Sequence, residues 1–459
     1  MTATPPGGQA VELWFDARTH LLARSMRRMP ISTQAVAYAD YRAVDGLQLP
    51  HRIEAGDVGS SNLDTVTVAR WSRTAPRDAA FAEAVPPADT TLAAPTTVPV
   101  EIDGEVTLQA TLNGRTYDFI LDTGGHDIIT PAVAQALGLK PAGASESGGA
   151  GAGTIAQQDV RVASLRIGAA TLRDQHFYVI PLQYSTVERG ARPALAGILG
   201  LELFERLAVR LDYAARTLTL RTFAQAARET RRGTPVPIYF DDDSPLLDGR
   251  IEGKPGLIAL DTGNSGSTVV QAVWAKRNDL ADTLKRGFET VSYGAGGESR
   301  NWASRLGRLE IGGQVLEHQI GRYAEDSAGS FSSITEAANV GTDVLANFAL
   351  DFDYRHGTIW FDPRPGHVAP PFNRSGVRAY KEDATAFLVA LVTPGSPAAE
   401  AGLKKGDRIV SVDGVPAERL SGSALFAKNT QAPGTVVEFG IADGTTTRRV
   451  NLALREQLP

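Results

Sequence analysis

The segments Phe119-Ile120-Leu121-Asp122-Thr123-Gly124-Gly125 and Ile258-Ala259-Leu260-Asp261-Thr262-Gly263-Asn264 decide how the rest of the chain reads. Each is an apolar run that ends in Asp-Thr-Gly, the pattern of a buried strand stopping at a sharp turn. The first leads into the helix-like stretch Pro131-Ala132-Val133-Ala134-Gln135-Ala136-Leu137, the second into Thr268-Val269-Val270-Gln271-Ala272-Val273-Trp274 at the matching place. A glycine-rich hairpin candidate follows each, Gly148 to Gly153 and Tyr293 to Gly297. Further on, Ile198-Leu199-Gly200 is answered by Asn339-Val340-Gly341. The interval from Asp122 to Gly200 is 78 residues, and that from Asp261 to Gly341 is 80. Each copy closes on a strand carrying Asp-Tyr, Val209 to Tyr213 and Leu350 to Tyr354. A period of about 140 residues marks a duplicated domain and not a solenoid.

One Asp-Thr-Gly alone is an ordinary strand-end turn, and composition puts one in roughly a tenth of chains this long. Two copies with matched surroundings leave that reading to a single copy only. A carboxylate at the end of a buried strand is held rigidly, while glycine lets the chain turn sharply behind it. A pseudo-two-fold axis between the copies would bring Asp122 and Asp261 together. Two carboxylates in contact resist double ionisation, so they share one proton and titrate as a unit. The ionised member can take a proton from water while the protonated member polarises a carbonyl.

On these residues, Val98 to Pro363 resembles an aspartic protease with two retropepsin-sized lobes in one chain, the family in which this dyad logic is best known. The resemblance implies that Asp122 and Asp261 are the catalytic pair, and that Thr123 and Thr262 hydrogen-bond across the lobe interface. It implies active-site support from Gly124, Gly263 and Asn264, and loops braced by Gly200 and Gly341. It also makes the glycine-rich segments flaps, carrying Gly149, Gly151, Tyr293 and Gly294, with Tyr293 a flap aromatic. The fourth motif position, usually a small hydroxyl or Ala, is Gly125 in one copy and Asn264 in the other. Asn339 also replaces an apolar residue in the second brace. Asn264 carries a side-chain donor and Gly125 does not, so the two aspartates need not be electrostatically equivalent.

Composition narrows the rest. With 46 basic and 52 acidic residues the net charge is −6, both signs are spread along the chain, and no basic face marks a nucleic-acid binder. The absence of cysteine excludes disulfides, thiolate metal sites and thiol nucleophiles. The 7 histidines form no His-Glu-x-x-His pair, Asp241-Asp242-Asp243 reads as a solvated turn, and no Gly-Lys-Ser/Thr follows the glycine runs. No metal or cofactor is implied. No apolar run approaches the roughly 18 residues of a membrane span.

Towards the N-terminus, Val11 to Phe15, Gln34 to Tyr38 and Asp64 to Val68 read as strands, with a turn at Asp45-Gly46 before Leu47 to Pro50. A meander of this size has one apolar face that needs a cover. The stretches WFDARTHLLAR and YRAVDGLQLPHRI resemble the later half of periplasmic lipoprotein-carrier-like sheets. That resemblance implies a periplasmic or secreted protein and further strands upstream, although MTATPPGGQAVELWF has no signal-peptide pattern. Beyond Pro363, Ser396 to Gly414 (SPAAEAGLKKGDRIVSVDG) strongly resembles bacterial PDZ domains. Such domains add an extended peptide to a sheet edge; by matching, Phe387, Leu388, Val389 and Ala390 would line it, after a loop at Asp383 to Ala386.

The expected fold is mainly β: a bilobal acid-protease barrel pair with pseudo-two-fold symmetry, a C-terminal PDZ domain and an N-terminal antiparallel segment. The expected boundaries are 1–76 for that segment, 77–97 for an Ala/Pro/Thr linker, 98–224 and 235–364 for the lobes, and 374–456 for the PDZ domain. The expected function is an aspartic endopeptidase acting on an extended polypeptide, with a peptide ligand at the PDZ groove and no nucleic-acid partner. The resemblance implies a catalytic unit that can be monomeric and leaves the oligomeric state open. Two rivals stand. The altered motif fits a peptide-binding scaffold that cannot turn over. Gly263-Asn264-Ser265-Gly266-Ser267 resembles the nucleophile loop of trypsin-like serine proteases, with His126 and Asp127 as triad partners.

Overall fold

Strands dominate the chain, as its alternating and β-branched runs require, and in the computed structural model those of the described residues form five sheets. The structure describes all residues except 5–9, 29–32, 59–63, 73–87, 150, 152, 183–193, 242–243, 295–296, 326–328, 334, 365–370 and 459. Asp242 and Asp243 of the acidic triplet therefore lie outside the described residues.

The N-terminal sheet is an antiparallel meander of six strands in sequence order, from Thr2–Ala3 to Asp64–Thr67. Its Val44–Leu47 turn has Asp45 at φ 48° and Gly46 at φ 80°, the left-handed pair that a two-residue hairpin needs. Among its described residues only His51 is buried, and Trp14 and Phe15 are about half exposed. The meander is as expected; a cover for an apolar face is not present among the described residues.

Each Asp-Thr-Gly strand sits in its own barrel-like sheet. Arg115–Leu121 pairs antiparallel with Glu105–Leu112 and parallel with Gly197–Leu199. Lys254–Leu260 pairs antiparallel with Ser244–Ile251 and parallel with Glu336–Val340. A third sheet joins the two halves. It runs Thr234–Pro237, Thr358–Pro363, Phe348–Asp353, Ala208–Asp212, Thr217–Arg221, Thr96–Pro99. At its centre Val209 pairs with Phe352 and Leu211 with Leu350, so the two closing strands of the repeat are neighbours. Phe204 of the first half stacks on Tyr354 of the second at 5.1 Å, and one apolar core runs through both. Arg221 and Asp351, 4% and 2% exposed, form an ion pair of 2.6 Å across this sheet. Breaking such a buried pair strands a charge, which makes the join intolerant of change.

Three expectations need correction. Residues 88–97, read as linker, are part of the first half. Thr90–Thr91 pairs with Leu172 and Thr171, Thr96–Pro99 pairs with Thr217–Leu220, and Leu92 is buried. The Ala/Pro/Thr composition resembles a spacer, but threonine is also a strand former. Thr268–Gln271 is a strand, and the helix begins only at Ala272, whereas the first copy turns helical at Pro131.

The third correction concerns the PDZ groove. The C-terminal sheet runs Val377–Asp383, Ala386–Val392, Arg408–Val412, Val436–Asp443, Thr446–Ala453. Ala386–Val392 is thus interior, with Phe387 and Leu388 pairing on both sides and Phe387, Val389 and Ala390 buried. The edge beside it is Val377–Asp383, whose charged residues suit an outer strand. Its preceding loop is Asn373 to Gly376, where Asn373 Oδ1 accepts from the Ser375 and Gly376 amides at 3.0 and 3.1 Å. An uninterrupted apolar run marks burial on both faces and not an open edge. This unit rests on the second half: Phe372 meets the Phe288 ring at 4.8 Å, and Arg378 donates to the Val291 carbonyl at 3.2 Å.

Candidate active site

The two Asp-Thr-Gly loops meet face to face at the join between the halves. Asp122 N–H donates to the Leu199 carbonyl at 3.0 Å, and Asp261 N–H to that of Val340 at 3.1 Å. One turn later Leu201 N–H binds the Gly125 carbonyl at 2.8 Å and Thr342 N–H that of Asn264 at 2.9 Å. Gly200 and Gly341 lie against those same carbonyls so closely that a methyl group at either would overlap backbone. Only glycine lets the brace approach the loop.

Thr123 and Thr262, both fully buried, lock the loops together. Thr123 N–H donates to Thr262 Oγ1 and Thr262 N–H to Thr123 Oγ1, each at 3.0 Å. Their hydroxyls donate onward to the Leu260 and Leu121 carbonyls, each at 2.7 Å. Behind this lock the Asp122 and Asp261 carboxyls are hydrogen-bonded to each other. A methyl at Gly263 would strike the Asp122 carboxyl, and one at Gly124 would press on Asp261.

The two carboxyls have different surroundings. Gly124 N–H donates to Asp122 Oδ1 at 2.8 Å. Asp261 accepts the Asn264 amide on Oδ1 at 2.9 Å and the Asn339 side-chain amide on Oδ2 at 2.7 Å. Burial pushes the Asp261 carboxyl above the usual range, opposed by Asn339, the Asn264 and Gly263 amides and the bond to Asp122. The Asn264 side chain does not reach the carboxylate as its own amide does; it donates to Asn339 Oδ1 at 2.8 Å and to the Ser267 carbonyl at 3.1 Å. Asn339 belongs to this site, and sequence reading had marked it only as a departure. The usable signal was that both departures in the second copy are asparagines.

Residues 108–203 match the family model for aspartyl protease, and residues 388–439 match that for a PDZ domain. The chain carries an aspartyl protease domain and a PDZ domain. It is a peptidase. No curated protein matches the chain. Among solved structures, an aspartic proteinase from Irpex lacteus is 12% identical with a TM-score of 0.40, over 60% of this chain and 99% of that one. A retropepsin-like aspartic protease from Rickettsia conorii is 22% identical with a TM-score of 0.19, over 28% of this chain and 88% of that one.

Within the protease domain, both glycine-rich segments lie in hairpins. Ala142–Ser147 pairs with Ile155–Ile167, and Gly149 and Gly151 fall in the connection. The Gly149 carbonyl accepts Ser330 N–H at 2.9 Å, so this hairpin reaches across to the second half. Phe288–Gly294 pairs with Gly297–Ile311, putting Tyr293 and Gly294 at the end of a strand; the Tyr293 side chain lies outside the described residues.

The triad suggested for a serine mechanism is laid out otherwise. His126 and Ser265 each stand four residues past their aspartate and are the same position of the two copies. His126 Nδ1 lies 2.9 Å from Glu202 Oε1, and its ring packs edge-on against Tyr178 at 5.4 Å. Asp127, 1% exposed, accepts the Gly200 amide at 2.8 Å and so steadies the first brace. Burial and the neighbouring Glu202 carboxylate push its carboxyl well up. Among the described residues no cluster of three metal-ligating side chains occurs.

Asp343, in the first turn after Gly341, is pushed up to about 6 by burial, with Arg322 opposing. A carboxyl raised in the folded state binds its proton there more tightly than in the unfolded chain. Its contribution to stability is therefore lost as pH rises from about 4 through about 6. Asp343→Asn should raise the melting temperature at pH 7, leave it nearly unchanged at pH 4 and flatten the slope between. A melting series over that range checks it.

Proposed function

We propose that the chain is an aspartic endopeptidase that hydrolyses extended polypeptides with a water held between Asp122 and Asp261. The observation that carries this reading is the hydrogen-bonded carboxyl pair, locked by Thr123 and Thr262. One carboxylate takes a proton as the water oxygen attacks the scissile carbonyl, while the other carboxylic acid protonates the carbonyl oxygen. Backbone of the hairpins offers the pairing that an extended substrate needs, with alternate side chains entering pockets on either side. The PDZ domain would take a peptide along Val377–Asp383, the outer strand beside Gly422–Asn429. We place the activity in the periplasm or outside the cell, a location that fractionation of the native host tests.

The full chain should cut an unfolded polypeptide somewhere between pH 3 and 8, with products read by mass spectrometry. Ser265→Ala should leave that activity within about twofold; its loss would favour a serine mechanism. Peptide binding without cleavage at any pH would favour the scaffold reading.

A further inference from the structure

The repeat supplies its own control for the second half of the site. In the first copy Ile120 pairs with Ile198 across the parallel strands, and in the second Ala259 pairs with Asn339. Ile198 and Asn339 are thus the same position, one offering a hydrocarbon branch and the other an amide. The fourth motif position repeats the contrast, with Gly125 having no side chain and Asn264 an amide. Both extra amides are on the Asp261 side.

Their orientation is fixed by backbone. Gly266 N–H donates to Asn264 Oδ1 at 3.0 Å, and Asn264 Nδ2 donates to the Ser267 carbonyl at 3.1 Å. That anchors the Asn264 amide with its second N–H towards Asn339 Oδ1, at 2.8 Å. Asn339 must then turn its NH2 to Asp261 Oδ2, at 2.7 Å. Flipping Asn339 would set oxygen against carboxylate and nitrogen against nitrogen. Such an N–H donor strengthens its bond when the acceptor is ionised. Among the influences that hold the Asp261 carboxyl down against burial, Asn339 is the largest.

We propose that Asn339 is a positioning residue that keeps the negative charge of the pair on Asp261 and the shared proton on Asp122. This rests on the endopeptidase reading. The attacking water then gives its proton to Asp261 as its oxygen bonds to the carbonyl carbon, and Asp122 gives its proton to the carbonyl oxygen. Collapse of the resulting gem-diol moves the Asp261 proton to the departing amine as the C–N bond breaks. One diol proton returns to Asp122, which restores the starting state. The other titratable groups around the second loop are Tyr213, kept neutral by burial, and Arg322 with Asp343 behind Gly266.

The test uses the full chain and a fluorogenic peptide built on a bond that the wild type cuts. Asn339→Leu removes the donor at nearly constant volume. It should lower kcat roughly 10- to 100-fold, change KM by less than about threefold, and move the acid limb of the kcat/KM profile up by about one pH unit. Asn339→Asp keeps the shape and donates only while protonated. It should approach wild-type activity at the acid end and lose it at a pH about one unit lower than the wild type does. Should Asn339→Leu not fold, the Asn339→Asp profile decides alone. Profiles of the folded variants that superimpose on the wild type overturn the proposal while leaving the endopeptidase reading intact. A wild type that cuts nothing overturns that reading, and the proposal with it.

Discussion

Asp122→Asn and Asp261→Asn should each reduce cleavage by roughly 10³- to 10⁴-fold, and Asp261→Asn should at the same time flatten the fall of stability between about pH 4 and 7. The two effects share a cause. Burial pushes the Asp261 carboxyl above its usual range in the folded chain. A carboxyl raised on folding loses its contribution to stability as pH climbs from about 4 through the raised value. Asparagine has the same shape and never ionises, but its single oxygen can replace only one of the two acceptors, Oδ1 towards the Asn264 N–H or Oδ2 towards the Asn339 amide. It removes the proton acceptor and the buried ionisable group together. The double variant should be about as inactive as either single one, because the pair acts as a unit. Rates on the fluorogenic peptide and melting temperatures at pH 4 and 7 read both effects. Full activity in either single variant would remove the water-activating role from the pair.

Thr262→Val is the most damaging conservative change to stability that the site offers. The hydroxyl accepts from Thr123 N–H and donates to the Leu121 carbonyl, and all of these are buried. Valine fills the space and leaves both backbone groups unmet, at about 1–3 kcal/mol each. A loss of roughly 2–6 kcal/mol is a large share of the 5–15 kcal/mol typical of a folded domain. The melting temperature should fall by roughly 5–15 °C. Thr123→Val should do the same, since the two residues exchange equivalent bonds. A drop of only one or two degrees in both variants would mean that the lock contributes little.

The site was legible in the sequence to the extent that it is duplicated. A single Asp-Thr-Gly is uninformative, but the second copy converted turn residues into a symmetric pair, and contact between Asp122 and Asp261 follows from that symmetry. The rest depended on partners that sequence does not name. Val209 and Leu211 read as ordinary strand residues; that they pair with Phe352 and Leu350 is a choice of neighbour made in three dimensions. Residues 88–97 have the composition of a spacer, yet Leu92 anchors them in the core. Phe387 to Ala390 looked like a peptide-lining strand because it is apolar, which is the reason it lies inside the sheet. Asn339 stood out as a departure, but its role needed the distance to Asp261 and the amide chain behind it.

The shared sheet also governs how the protein can come into being. The strand Ala208–Asp212 is finished long before Phe348–Asp353 exists, and Thr123 waits for Leu260 and Thr262 to be made. A chain growing from its N-terminus carries an open strand edge and an unlocked aspartate loop until its second half arrives. Closing these contacts spans well over a hundred residues, the kind of distant pairing that slows folding. Hydrolytic power therefore comes last, once the whole catalytic unit is assembled. A first-half fragment released early could complete its loop only by borrowing the threonine of another molecule.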